Sequence, residues 1–241
     1  KELIQREEAA TAQAVRSADV VLCTCVGAVG WALKSVPEFD VVIIDEAAQA
    51  LEAACWLPLL RGRRAVLAGD HLQLPPIVKS SSAAAEGFGR TLFDRLAKMH
   101  GDSILRMLTT QYRMNTNISN WASDQMYGGK LLAGDGVGER ALCDLPGVME
   151  ADLTKAALML IDTAGCNGCE ETADEGGSKL NSGEAELVAA YLEELFSYCT
   201  CDSGFGLGDI GVIAPYNAQV ACLRERLADH CQAGLEISTV D

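Results

Sequence analysis

Three polar stretches carry residues able to handle a phosphoryl group, and each comes just after an apolar run. Asp45-Glu46-Ala47-Ala48-Gln49 follows the run 41–44, and Gly69-Asp70-His71-Leu72-Gln73-Leu74-Pro75-Pro76 follows 65–68. Gln111-Tyr112-Arg113-Met114 comes soon after 104–108. An aspartate so placed can hold Mg²⁺ through oxygen, and a neighbouring glutamate can orient or deprotonate a water. An arginine can stabilise charge developing on a transferring phosphoryl group. Each stretch alone has a plainer reading: an acidic pair as a solvated strand end, Gly-Asp with a double proline as a turn, Tyr112-Arg113 as an edge contact with a carboxylate. All three in this order, each at a strand end, point to phosphoryl transfer.

The elements that must position these residues are read from periodicity. The β-rich apolar runs 20–24, 41–44, 65–68, 104–108, 157–161, 210–214 and 237–240 read as strands. Several are apolar at consecutive positions, as in parallel strands covered on both faces. Between them lie helical patterns. Leu187, Val188, Tyr191, Leu192, Leu195 and Phe196 form one stripe, with Asn181 and Glu184 spaced for a capping box. A second helix is expected from Asn217 to about Asp229, with Val220, Leu223 and Leu227 facing inward. Strand–helix alternation predicts an α/β fold with a largely parallel sheet. In such sheets ligands bind beyond the carboxyl ends of the strands. Adjacent strands lie about 5 Å apart, so Gln73 falls within reach of the same phosphate as Asp45 and Glu46. Residues 134–155 are the expected linker, being rich in Gly and charge without a sustained period, and 170–179 (EETADEGGSK) reads as an exposed acidic loop.

Composition sets the outer limits. The chain has 241 residues, 49% hydrophobic and 22% charged, which fits one large or two smaller folded domains. Its longest apolar runs are too short to span a bilayer as a helix, so no membrane partner is expected. A net charge of −15 excludes a wholly basic nucleic-acid binder. The charge is uneven: residues 1–155 carry 16 Lys/Arg against 19 Asp/Glu, a net of −3, and 156–241 carry 3 against 15, a net of −12. Two basic positions, 61–64 and Lys79, read as solvated loops before they read as phosphate contacts. The ten cysteines have no small-scaffold spacing, so a reducing compartment, cytoplasm or nucleus, is expected. Cys23 and Cys55 sit in or beside apolar runs as small hydrophobes. Cys166-Asn-Gly-Cys169 has half a zinc-knuckle spacing, but Cys199-Thr-Cys201 is a poor second half and no histidine lies near.

VVIIDEAAQALE, LAGDHLQLPP, LTTQYRMN and IAPYNAQV together resemble the motifs of superfamily 1 helicases. The similarity is to the branch that includes the nonsense-mediated-decay helicase, senataxin and the immunoglobulin-μ-binding helicase. SDQMY (123–127), LPGV (145–148) and IDTAGC (161–166) look most like the last of these. The resemblance implies two RecA-like P-loop NTPase domains, here residues 1–133 and 156–241, each in part, with ATP between them and single-stranded DNA or RNA across the top. It implies a 5′ to 3′ monomeric motor. It casts Asp45 as the Mg²⁺ ligand, Glu46 as the residue activating water, Gln73 as the γ-phosphate sensor and Arg113 as the arginine reaching that phosphate. Asp70 and Tyr112 would join the nucleotide site. Thr24, Val26 and Gly27 resemble a loop that touches the nucleic-acid backbone, and Pro215 and Tyr216, with Gln219, open the second motor domain.

The departures matter equally. A P-loop needs Gly-x-x-x-x-Gly-Lys-[Ser/Thr]. Only Lys34-Ser35 and Lys79-Ser80 have the right follower, and neither has the preceding glycine. Ser238-Thr239-Val240-Asp241 resembles the first residues of a later motif. The expectation is a stretch of a longer motor with its phosphate cradle upstream of residue 1 and its last motifs downstream of Asp241, binding ATP poorly by itself. The alternative is a truncated module that no longer hydrolyses ATP and only binds nucleic acid or protein.

Overall fold

A computed structural model of the chain describes residues 2–34, 36–200 and 204–240. Ser35, Cys201 and Asp241, named above, lie outside the described residues. Two compact units are formed, Lys1–Met107 and Leu108–Asp241. Residues 108–133, expected with the first domain, fall in the second unit.

The first unit contains α1 (Glu2–Ser17), β1 (Val42–Ile44), α2 (Glu52–Leu59), β2 (Ala65–Leu67), α3 (Ser81–Ala85) and α4 (Leu92–His100). Strands β1 and β2 pair in parallel, with Val42 opposite Ala65 and Ile44 opposite Leu67. The crossover between them is α2, because parallel strands cannot be joined by a tight turn. Ile44, Ala47, Ala48, Cys55, Leu92 and Phe93 form its core. Burial pushes the Cys55 thiol above the ordinary cysteine range, in keeping with its reading as a small hydrophobe. Cys23, expected alongside it, is instead exposed. Two groups fasten α4. Thr91 caps it by accepting from Asp94 N at 3.0 Å, and Arg95 donates to both oxygens of Glu52 on α2, at 2.9 Å and 2.6 Å.

The second unit contains β3 (Thr110–Gln111), α5 (Thr116–Tyr127), β4 (Leu132–Ala133), α6 (Asp152–Lys155), β5 (Thr172–Ala173) and β6 (Lys179–Leu180). It continues with α7 (Ser182–Ser197), β7 (Gly211–Ile213), α8 (Asn217–Arg226), α9 (Ala228–Gln232) and β8 (Glu236–Ser238). Parallel pairs are β3–β4 and β7–β8, while β5–β6 is an antiparallel hairpin. The main core is built by α7, α8 and β8, through Leu192, Leu223, Leu227 and Ile237. Val220, Leu223 and Leu227 are buried as expected, but the buried stripe of α7 runs through Ala185, Ala189, Leu192 and Leu195, leaving Leu187 exposed. Asn181 does cap α7, accepting from Glu184 N at 3.0 Å.

Three expected strands are absent among the described residues. The runs 20–24, 104–108 and 157–161 form no ladder, and β3 begins two residues beyond the second of them. A strand is defined by its hydrogen-bonded neighbour, and an apolar run without a partner has nothing to hold it extended. Leu22, Leu108 and Leu160 are accordingly 92%, 87% and 91% exposed. Four two-stranded ladders therefore stand where continuous parallel sheets were expected, although three of the four are parallel.

Segment 134–155 is not a bare tether. Val148 bridges Cys199, Met149 N donates to Tyr198 O at 2.8 Å, and the fully buried Thr154 hydroxyl donates to Met149 O at 2.7 Å. The acidic loop 170–179 is the β5–β6 hairpin and its turn, closed by Asp174, which accepts from Gly176 N and Ser178 N.

Candidate functional site

In the first unit, β1 and β2 end at the same level and both chains turn away together. Ala68 N donates to Ile44 O at 2.9 Å, and Ala47 N to Ala68 O at 2.8 Å. The two turns then nest. A Cβ on Gly69 would lie 2.8 Å from Ala48 N and 3.0 Å from Ala47 N, closer than real side chains approach backbone. Glycine is required there by contact. Ala47 and Ala48 are buried in the core, which turns Asp45, Glu46 and Gln49 outward to solvent.

Glu46 is the only described non-glycine residue with positive φ, at 51°. That left-handed conformation is unfavourable for a residue carrying a Cβ and is typical of sites where function over-determines the backbone. The turn holds it by three bonds. Glu46 N donates to Asp45 Oδ1 at 3.1 Å, Gln49 N donates to Glu46 O at 2.9 Å, and Gln49 Nε2 donates to Glu46 Oε2 at 3.3 Å. Asp45 has no other hydrogen-bond or ion-pair partner among the described residues, so it can offer a carboxylate oxygen to a hard cation.

The second turn is organised by Asp70. Its Oδ1 accepts from Leu72 N at 3.0 Å and its Oδ2 from Gln73 Nε2 at 2.8 Å. Both oxygens are engaged in the turn, and the second orients the Gln73 amide. His71 leans on Phe93 with ring centroids 6.0 Å apart, tying this loop to α4.

Thr24 Oγ1 accepts from Gly27 N at 3.0 Å, bending the chain just before the short helical turn Gly27–Val29. The same bend exposes Val26 and leaves Gly27 half-buried. In the first of the two basic positions, Arg61 is occupied internally, donating to Leu33 O at 2.6 Å and Val36 O at 3.0 Å, and Arg63 pairs with Glu38 at 3.2 Å, while at the second Lys79 is exposed.

In the second unit, the Gln111 side chain clamps its own turn. Its Oε1 accepts from Arg113 N at 2.8 Å and Met114 N at 2.7 Å, while Nε2 donates to Met114 O at 2.7 Å. Tyr112 is left 70% exposed, with Arg113 exposed beside it. A Cβ on Gly134, the residue after β4, would strike the Tyr112 ring at Cε1 and Cδ1, so a side chain there would require the exposed ring to move. Pro215 and Tyr216 follow β7 and are exposed just before α8. Gln219 does not face solvent with them. Its Oε1 accepts from Asn181 N at 2.7 Å and its Nε2 donates to Asn181 O at 3.2 Å.

Thus Asp45, Glu46, Asp70 and Gln73 share one pair of nested turns, Tyr112 and Arg113 share a clamped turn, and Pro215 and Tyr216 share a helix start. Sequence reading missed the supporting residues Gln111 and Gly134. The Q-Y-R-M spacing is a signal for the first, since a glutamine two and three residues before free amides can close a turn; Gly134 has no local signal. Among the described residues no three His, Cys, Asp or Glu side chains gather as a metal site, Cys166 and Cys169 included.

Two profiles described as AAA domain match the chain, over residues 1–81 and 88–241. The DNA-binding protein SMUBP-2 of Rattus norvegicus is 49% identical over 244 residues, covering 100% of this chain. The chain belongs to the superfamily 1 helicases. This membership brings the P-loop NTPase fold class with it. The DNA polymerase alpha-associated DNA helicase A of Schizosaccharomyces pombe is 39% identical over 98% of the chain, and the regulator of nonsense transcripts 1 homolog of Neurospora crassa 36% identical over 91%. The chain spans 24%, 34% and 19% of these three relatives, so it corresponds to one part of proteins of this helicase family.

Two predictions follow from the geometry of the first unit. Replacing Glu46 with glycine should raise stability in urea melts by about 1 kcal/mol, because the left-handed backbone no longer opposes a side chain. Glu46→Ala should not, and equal melts for the two would count against strain at this residue. The hydrogen-bonded Arg95 guanidinium holds the Glu52 carboxyl below the ordinary glutamate range. A lowered folded-state pKa stabilises the fold above the unfolded value and loses that effect as pH falls through the folded one. Glu52→Gln should therefore melt below wild type at pH 7, with the two curves converging as pH drops beneath the usual glutamate range. A pH-independent gap would contradict the assignment.

Proposed function

We propose that this chain is the central part of an ATP-dependent helicase that moves on single-stranded DNA or RNA, with ATP hydrolysed between two RecA-like domains. The observation that carries the reading is the strained, outward-facing Glu46 beside Asp45, nested against the turn that presents Gln73. The names of the relatives, a DNA-binding protein, a DNA helicase and a regulator of nonsense transcripts, support nucleic acid as the substrate class.

In this reading Asp45 would hold Mg²⁺. A single carboxylate suits that ion, which keeps several waters and takes its remaining ligands from substrate phosphates. When bound, the metal would neutralise charge on the β- and γ-phosphate oxygens. Glu46 orients the attacking water and accepts its proton. Gln73 keeps one amide hydrogen on Asp70 and has the second for a γ-phosphate oxygen, so Asp70 acts through Gln73. Tyr112 and Arg113 approach the nucleotide from their own turn, Arg113 meeting the developing negative charge. Thr24, Val26, Gly27, Pro215 and Tyr216 line the path of the strand. The motor acts as a monomer in the cytoplasm or nucleus.

The full-length protein provides the test. Glu46→Gln should leave nucleotide affinity near wild type while nucleic-acid-stimulated turnover collapses, because the metal ligand Asp45 remains. Undiminished hydrolysis would remove Glu46 from the chemistry. Arg113→Ala should cut turnover by up to about 10³-fold, as loss of an arginine finger does. Unchanged turnover per folded molecule would make Arg113 a structural ion-pair residue.

A further inference from the structure

The β5–β6 hairpin carries the net negative segment of the chain, yet one cation on it is held against the candidate strand-binding tyrosine. Lys179 Nζ lies 5.7 Å from the centroid of the Tyr216 ring and 2.8 Å from Glu171 Oε1. That placement is built by the fold. Ser178 Oγ accepts from Ala218 N at 3.1 Å, so the residue just before β6 is tied to the first turn of α8. Three residues on, the Asn181 backbone and the Gln219 side chain exchange two bonds, at 2.7 Å and 3.2 Å. The backbone of Lys179 sits between these fastenings, which set its side chain beside Tyr216. The Glu171 carboxylate beside it holds the ammonium above the ordinary lysine range, so it is fully charged at neutral pH.

We propose that Lys179 and Tyr216 form a subsite for one nucleotide of a single strand, the ammonium taking a phosphodiester oxygen and the ring packing on a base or sugar, with Glu171 as an internal competitor for the ammonium. The inference rests on the motor reading above, because it assumes that the strand passes Tyr216. The chemistry matches the usual single-strand platform, a cation for the backbone beside an aromatic for the nucleotide. Glu171 and Lys179 are both about half exposed, and ion pairs that open to water are held weakly. An arriving phosphate can exchange with the carboxylate without breaking a buried contact. Glu171 then discourages occupancy of this subsite by weakly bound anions while a strand anchored elsewhere still displaces it. This also gives the acidic hairpin a role in a protein whose ligand is itself an anion.

Anisotropy of labelled dT15 and rU15 on the full-length protein, over a series of salt concentrations, tests this. Lys179→Gln should weaken binding about fivefold near 0.1 M salt and lower the magnitude of the log–log salt slope by about 0.7, the share of one single-strand phosphate contact. Lys179→Arg should restore both. Glu171→Gln should tighten binding by about twofold or more, and that gain should vanish in the Lys179→Gln background. Glu175→Gln, a loss of the same charge on the same hairpin, controls for the general field. An unchanged affinity and slope in Lys179→Gln overturns the subsite, and equal gains from Glu171→Gln and Glu175→Gln overturn the competitor. A wild-type protein that binds neither strand would overturn the motor reading itself, and the subsite with it.

Discussion

Everything in the first unit's candidate site follows from two parallel strands ending level with each other. Once Ile44 and Leu67 are in register, the chains leaving them compete for the same volume. The conflict is resolved by removing atoms on one side and bending the backbone on the other. Gly69 lacks the Cβ that would strike the amides of Ala47 and Ala48, and Glu46 takes a left-handed conformation that brings those two alanines back into the core. The outward set of Asp45, Glu46 and Gln49 is the geometric remainder of that packing. Exposure of the acidic pair is thus a product of burial next to it.

Side-chain amides and a carboxylate do the rest of the positioning. Gln111 closes its turn with three bonds, Asp70 closes another and holds Gln73, and Asn181 and Gln219 bind each other's element across 38 residues of chain. Asn and Gln carry both donor and acceptor on one rigid group, so each can replace a missing ladder bond in either direction. This suits a chain whose ladders, among the described residues, contain two strands each.

Much of this was legible in the sequence, because the signals were local. The runs leading into Asp45 and Gly69 formed strands where their apolar content placed them, and the Asn181 cap of one helix and the buried face of the helix after Tyr216 were readable from spacing of 3 and 4 residues. The candidate turns could be located for the same reason, each being a few consecutive residues at a strand end. What was not legible depends on partners distant in sequence. Runs 20–24, 104–108 and 157–161 have strand composition, but no neighbour pairs with them among the described residues. Segment 134–155 reads as a linker because its order comes from single hydrogen bonds to the start of α5 and to the residues just after α7, which leave no periodic trace. The fit of Tyr112 against Gly134 is a contact across 22 residues, and neither residue announces the other.

That last contact couples two positions that would otherwise vary independently. The space beside Tyr112 belongs to the residue just after β4, and it exists only while that residue has no side chain. A related sequence that gains a methyl group at position 134 has to give up the aromatic ring at 112 or swing it to a new direction. Because that ring is exposed, swinging it is the easier course. The reach of the ring beside Arg113 can then be altered from position 134 without touching the turn that carries it.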